Sequence, residues 1–253
     1  MDKRHLFYRY YDTLFSSKDY AGEIAAIFRY VSGYPRQTMD NVLEIGCGTG
    51  SHTVELARKP GVQVTAVDTD PYMLVLAKMK AEQTRQTNIT FASGSFSASG
   101  MDLGVALFNV VNYICDDAML GTFFAGIAAS LRLHGLFIFD CWNGTAALLE
   151  PPGSKNYEQD CDGKKVCCQL TSKTDLVRKI TTLNYQLNLF DQAGKKLESN
   201  TYKILHRLWT PEQIKAALQD AGFEVLTVCI PFKFEQVASD TDWKIMFVCR
   251  NGG

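Results

Sequence analysis

The stretch Val42-Leu43-Glu44-Ile45-Gly46-Cys47-Gly48-Thr49-Gly50 constrains this chain more than any other. A short apolar run that breaks into three alternating glycines reads as a buried strand turning sharply into a helix. Glycine lets the backbone come close to a bound nucleotide, and the helix that follows (Ser51 to Arg58) points its N-terminus at the same place. A tight turn with no ligand would explain an isolated GxG equally well. The spacing here is GxGxG, not the GxGxxG of dinucleotide sites, so the loop is not an obvious pyrophosphate cradle. The next apolar run, Val62 to Val67, closes on Asp68, where a carboxylate can accept hydrogen bonds from two ribose hydroxyls.

From this loop onward strands and helices alternate. The pattern predicts a helix from Pro71 to Thr84 capped by Asp70, strands at Ile89 to Ala92 and Leu103 to Phe108, a helix from Asp116 to Leu131, and a strand from Gly135 to Phe139 ending at Asp140. Such a succession indicates a parallel sheet with helices on both faces. Residues 1–35 read as helical, with Asp19 as a cap and Gly33 and Pro35 as the stop, followed by a polar link from Arg36 to Asp40. Between about Tyr157 and Leu208 the rhythm becomes that of antiparallel strands, with hairpin signals at Asp162-Gly163 and Ala193-Gly194. Arg178 to Phe190 alternates, though not strictly, through Ile180, Leu183, Tyr185, Leu187 and Leu189. Thr210 then caps a helix from Pro211 to Ala221, and two last strands follow at Phe223 to Ile230 and Trp243 to Cys249.

The bulk properties fit a chain with a real core: 253 residues, 46% apolar and 21% charged. A formal net charge of -1 gives no global pull toward nucleic acid or an anionic membrane. No secretory h-region and no run of about 18 apolar residues is visible, so a cytoplasmic protein without nucleic-acid or membrane partners is expected. The eight cysteines form no CxxC pair and no zinc-type spacing; they read as small reduced hydrophobes, and no metal site is expected.

Val-Leu-Glu-Ile-Gly-Cys-Gly-Thr-Gly, followed by Val67-Asp68-Thr69-Asp70-Pro71-Tyr72-Met73-Leu74, resembles the first two motifs of class I S-adenosylmethionine-dependent methyltransferases. Leu133-His134-Gly135-Leu136-Phe137-Ile138-Phe139-Asp140 resembles the family's strand-five motif, with His134-Gly135 where Pro-Gly-Gly is usual. The resemblance runs from Asn41 to Asp140 and returns at Gly222-Phe223. It implies a Rossmann-like α/β fold: a seven-stranded sheet with helices on both faces, plus a small antiparallel sheet inserted after strand five. The implied domains are an N-terminal helical cap (1–40), a cofactor-binding domain (41–150 and 210–253) and the inserted sheet as a substrate lid (151–209). The implied cofactor is S-adenosyl-L-methionine, leaving as S-adenosyl-L-homocysteine. Glu44, Gly46, Cys47 and Gly48 would then line its methionine end, Asp68 its ribose, and Thr69 and Met73 its adenine. Ser95 stands where the family usually places an adenine-binding aspartate, Phe96 could pack on the ring, and Phe108 and Asn109 would lie beneath the sulfonium.

The segment Tyr10-Tyr11-Asp12-Thr13-Leu14-Phe15-Ser16-Ser17-Lys18-Asp19-Tyr20-Ala21-Gly22-Glu23 resembles the N-terminus of small-molecule N-methyltransferases, the amino-sugar dimethyltransferases of macrolide pathways above all. That likeness places Tyr11 in the active site and Tyr20 beside the cofactor; the competing reading makes both ordinary aromatic staples. Tyr113 and Trp142 follow strands four and five, at the carboxyl ends where open α/β sheets hold ligands, and an aromatic wall suits a sulfonium and an alkylated amine. His206-Arg207 ends the inserted sheet. His206 could take a proton or orient an acceptor, against the reading of a solvent-facing histidine, and Arg207 could touch substrate.

No dedicated base and no magnesium-type constellation is visible, which favours a neutral amine acceptor over a hydroxyl. The expectation is methyl transfer to a small-molecule amine with Tyr11 and His206 orienting it; the chain could also be a homodimer. O-methylation of a small natural product is the alternative within the class, and a non-catalytic cofactor-binding sensor or partner subunit the alternative outside it.

Overall fold

Three short helices, α1 (His5–Arg9), α2 (Tyr11–Leu14) and α3 (Tyr20–Val31), precede the first strand in the computed structural model, which describes residues 5–34, 39–94 and 98–253. The first half of the chain continues through β1 (Asn41–Ile45), α4 (Ser51–Ala57), β2 (Gln63–Asp68), α5 (Pro71–Gln83), β3 (Ile89–Ser93) and β4 (Met101–Ala106). A 3-10 turn at Val110–Tyr113, α6 (Asp117–Ser130), β5 (Leu131–Trp142) and α7 (Gly144–Leu149) follow. The remainder is β6 (Lys155–Cys161), β7 (Lys164–Asp175), β8 (Ile180–Asp191), β9 (Lys196–Arg207), α8 (Pro211–Asp220), β10 (Phe223–Ile230), β11 (Lys233–Val237) and β12 (Lys244–Asn251). Asp19, Asp70 and Asp116 cap helices as their sequence positions require, and Thr210 with Gln213 forms a full capping box on α8. Pro35 and Arg36, expected to close the N-terminal helix and open the link, lie outside the described residues.

Alternation along the strands builds two cores at once, because successive side chains leave opposite faces of a sheet. Val42, Val64, Leu103, Ile138 and Val248 pack on one side with Ile24 and Ile27 of α3. Their neighbours Leu43, Phe137, Phe139 and Phe247 pack on the other with Phe124 and Ile127 of α6 and Leu218 of α8. The sheet order is β11-β10-β12-β5-β4-β1-β2-β3. Strands β1 to β5 pair in parallel, whereas β12 runs antiparallel to both β5 and β10. The chain reverses its direction of travel across the sheet between β1 and β4, so a crevice opens at their carboxyl ends. The seven strands of the sequence reading are present, and β11 adds an eighth at the edge. Phe232, with a left-handed φ of 62°, turns the chain back onto β10; β11 is short and mostly exposed, so it carried no periodic signal.

The inserted segment forms a separate antiparallel sheet in the order β6-β7-β8-β9. Its inner face is the set Thr181, Leu183, Tyr185, Leu187 and Leu189 on β8, with Val166, Cys168 and Leu170 on β7 and Ile204 and His206 on β9. The alternation is therefore strict once Thr181 takes the place of Ile180. Its buried hydroxyl is matched by Thr174 at 2.8 Å. Leu6, Phe7, Tyr10 and Leu14 of the N-terminal helices join this inner face in a third apolar cluster. No helix of the described residues is long and apolar enough to cross a membrane.

Two local features tie these layers together. Gly144 donates its backbone N–H to Trp209 O at 2.8 Å, and a Cβ built on it would lie 2.4 Å from that same oxygen. Gly144→Ala is expected to destabilise the fold by about 1–3 kcal/mol through overpacking, read as a lower urea midpoint. Glu44, only 2% exposed, sits beneath the glycine loop and accepts a hydrogen bond from Thr53 of α4. Burial pushes its carboxyl up to about 8. A folded pKa above the unfolded one means that the folded state binds the extra proton, so this stability is full below about pH 4.5 and is lost as pH rises through about 8. Glu44→Gln should match the parent near pH 5 and exceed it increasingly toward pH 9 in the same denaturation assay. Parallel pH profiles for the two proteins would contradict this account.

Candidate active site

The loop after β1 is shaped by its glycines. Gly46, Gly48 and Gly50 all have left-handed φ, of 70°, 55° and 81°. A Cβ on Gly46 would lie 2.6 Å from Val110 Cγ2, so the loops after β1 and β4 approach more closely than any other residue allows. Gly46 and Cys47 donate their N–H groups to Val67 O at 2.8 and 3.0 Å, which folds the loop over the end of β2. Asp68 Oδ2 accepts from Gly48 N–H at 2.8 Å and Oδ1 from Asp70 N–H at 2.9 Å. Burial raises the Asp68 pKa, and these backbone donors oppose the shift. Each carboxylate oxygen keeps a lone pair for a further donor, and the space where a Gly48 side chain would stand is open. The cradle fits a nucleoside whose ribose hydroxyls meet Asp68. Thr69 follows Asp68 directly, and Met73 on α5 packs with the N-terminal cluster. Glu44 lies under this surface on its Thr53 contact. Ser95 and Phe96 lie outside the described residues.

Charged contacts fasten the N-terminal helices to this loop. Asp12 accepts from Thr49 Oγ1 at 2.6 Å and pairs with Lys80 at 2.8 Å, while Lys80 also donates to Ser51 Oγ at 2.6 Å. Glu23 binds Lys18 and, at 2.7 Å, His52. Burial pushes Glu23 upward, yet the hydrogen bonds from His52 and Lys18 hold it below the usual carboxylate value. Tyr20 stands edge-on to His52 with ring centres 4.8 Å apart, beside the glycine loop, and burial raises its phenol to about 12.

Next to the loop after β4 lies a cavity of about 380 Å³ with largely aromatic walls, among them Tyr11, Phe15, Tyr113, Trp142, Tyr157 and Tyr185. Six residues expected from sequence (Tyr11, Phe108, Asn109, Tyr113, Trp142 and His206) meet here. Burial raises the Tyr11 phenol well above its ordinary value, so it stays protonated. His206 is 5% exposed, which rules out the solvent-facing reading; it is wedged between Tyr113 and Trp142 at ring distances of 4.7 and 4.6 Å. Burial, aided by the Lys244 charge, lowers its pKa to about 3. The imidazole is neutral at physiological pH and too weak a base to take a proton there, so orienting an acceptor is what it can do. Asn112 fixes this corner: its Oδ1 accepts from Trp142 N–H and its Nδ2 donates to Arg207 O, both at 2.9 Å.

Arg207 does not join the cavity. Neighbours on a strand face opposite sides, and its guanidinium lies 4.9 Å above the Trp209 ring, bonded to the Arg178 carbonyl. The sequence reading missed Lys244 and Lys155. Lys244 starts β12 opposite Trp142, so the antiparallel course of the last strand brings it to the ligand end of the sheet. Burial lowers its pKa, and nearby Asp140 opposes this. Lys18 and Lys244 place their ammonium groups 4.9 and 5.8 Å from the centre of the Phe108 ring.

Residues 42–135 match the family model described as a methyltransferase domain. The chain is 26% identical over 249 residues to a provisionally named methyltransferase of Geobacillus sp. (strain WCH70), spanning 95% of this chain and 96% of that one. It is 31% identical over 111 residues to the magnesium-protoporphyrin O-methyltransferase of Rhodobacter capsulatus, covering 43% of this chain and 47% of that protein. Its fold matches an S-adenosylmethionine-dependent methyltransferase from Clostridium acetobutylicum ATCC 824 with a TM-score of 0.80 at 21% identity, over 100% of both chains. It also matches the sugar N-methyltransferase KedS8 from Streptoalloteichus sp ATCC 53650 with a TM-score of 0.76 at 20% identity, over 96% of this chain and 91% of that one. Residues 42–135 thus carry a methyltransferase domain, and the chain as a whole has the fold of S-adenosylmethionine-dependent methyltransferases.

Proposed function

We propose that the protein methylates an amine nitrogen of a small molecule held in the aromatic cavity. The observation that carries this reading is the character of the cavity's polar groups: Tyr11 is held as a phenol and His206 as a neutral imidazole, beside the loop of Phe108 and Asn109. The cofactor supplies a methyl group on a positively charged sulfur, already activated for displacement. Neither Tyr11 nor His206 can act as a strong base at neutral pH, so they suit a nucleophile that needs none, and a neutral amine is one. Lys244 and Lys155, against the single carboxylate of Glu150, bias the cavity wall toward positive charge and disfavour a protonated amine. The aromatic walls then hold the alkylated product through their ring faces. The likeness to a sugar N-methyltransferase over nearly the whole chain points the same way.

O-methylation is the second reading, and the same two lysines favour it, since an ammonium group would stabilise a phenolate or carboxylate acceptor. The O-methyltransferase of Rhodobacter capsulatus adds weight to it over the shared segment.

Incubation with methyl-labelled cofactor and a panel of small amines, phenols and carboxylic acids separates the two. Label should pass to primary and secondary amines; transfer confined to phenols or carboxylates would sink the N-methylation reading. With the amine that reacts best, Tyr11→Phe is expected to lower kcat/KM by about 5- to 10-fold, the worth of one hydrogen bond. Cofactor affinity by calorimetry should stay within about twofold.

A further inference from the structure

Phe108 and Asn109, where the chain leaves β4, adopt left-handed backbone in succession, with φ of 71° and 65°. Asparagine tolerates this region, whereas a bulky residue such as phenylalanine rarely enters it. Asp140 on β5 holds the pair, since its Oδ1 accepts from Phe108 N–H at 2.6 Å and from Asn109 N–H at 3.4 Å. The loop conformation thereby puts Asn109 in the cavity wall beside Phe108. Asn109 is 6% exposed, and its Oδ1 has no hydrogen-bond partner among the described residues. His206, in the wall of the same cavity, likewise has both ring nitrogens unpartnered. Buried polar atoms are nearly always bonded, so each exception calls for a partner, and in a cavity wall a ligand can supply it.

We propose that Asn109 binds and aims the methyl acceptor, its Oδ1 accepting a hydrogen bond from an N–H of the substrate amine. The inference rests on the amine reading above and deepens it, because a carbonyl oxygen has no proton to offer and recognises donors alone. A primary or secondary amine can use it; a tertiary amine, a phenolate or a carboxylate cannot. In the transfer the nitrogen lone pair becomes the new N–C bond, the S–C bond breaks, and its electron pair stays on sulfur as a neutral thioether. The nitrogen becomes positive, its remaining N–H becomes a stronger donor, and the bond to Oδ1 tightens as the reaction proceeds. The proton leaves the ammonium product to solvent. Oδ1 is covered by its surroundings, and hydrogen bonds to catalytic groups commonly form only once substrate is in place.

Two variants separate this role from the backbone role of Asn109. Asn109→Gly keeps the left-handed conformation and removes the amide; Asn109→Asp keeps an acceptor oxygen in place. With a primary amine that the parent methylates, Asn109→Gly should lower kcat/KM by about 10- to 100-fold, as for loss of a bond to a group gaining charge, while cofactor affinity by calorimetry stays within about twofold. Asn109→Asp should recover most of the loss, and tertiary amines should not react with the parent. Turnover by Asn109→Gly within about threefold of the parent would overturn the proposal, as would a loss matched by lost cofactor affinity, or an Asn109→Asp as impaired as the glycine variant. Those outcomes leave N-methylation standing. A parent that methylates oxygen acceptors and no amine would overturn both.

Discussion

The contact between Gly46 and Val110 is the constraint on which the site depends. The chain reverses direction between β1 and β4, and the loops leaving these strands meet so closely that a single Cβ would lie 2.6 Å from Val110. That closeness brings the glycine loop and Asp68 alongside Phe108 and Asn109, so a nucleoside on one side and an acceptor on the other can share one reacting point. A substitution at Gly46 would separate the two halves of the site before it touched any ligand. The left-handed backbone at Phe108 and Asn109 shows strain gathered at this junction, with the Asp140 carboxylate over-determining it.

The N-terminal helices cover this junction through charge as well as packing. Their apolar face, Leu6 to Leu14, joins the inner face of the inserted sheet, while Asp12 and Glu23 reach across to Thr49, Lys80 and His52 around the glycine loop. The cap therefore belongs to both halves at once. It forms a wall of the cavity through Tyr11 and Phe15 and touches the glycine loop through Asp12.

The glycine loop and Asp68 were legible in the sequence because their work is local: backbone freedom at 46, 48 and 50 and one carboxylate at the end of the next strand. The inserted sheet was legible as alternation from Leu183 to Leu189, and only its start was not, because Thr181 rather than Ile180 is the inward residue and hydroxyls carry no hydrophobic signal. Tyr11 and Tyr20 could be singled out only through likeness to a family, since aromatic residues on a helix read equally as packing. Asn109 was named with Phe108 through the family likeness, but its unpartnered oxygen is a property of the fold. His206 and Arg207, adjacent in sequence, were taken together and face opposite ways. Lys244 had no signal at all: only the antiparallel course of β12 carries the start of the last strand to the carboxyl end of β5.

The electrostatics of the site suit a reaction that moves a charge without creating one. Methyl transfer to a neutral amine begins with one positive charge on sulfur and ends with one on nitrogen, a few ångströms apart. A site for such a reaction needs fixed dipoles that serve both positions more than it needs a base. The cavity groups fit that requirement, with Tyr11 and His206 uncharged and Asn109 neutral by chemistry. Around this neutral set, Asp140 beneath the loop and Glu23 beside it face the ammonium groups of Lys18 and Lys244 across the Phe108 ring. An acceptor that arrived as an anion would instead lose its charge in the reaction, and its attraction to Lys244 would fade as the methyl group moved. The positive field of the cavity therefore does different work for the two acceptor classes: for an amine it selects the reactive neutral form, and for an oxygen anion it stabilises the ground state that must be consumed.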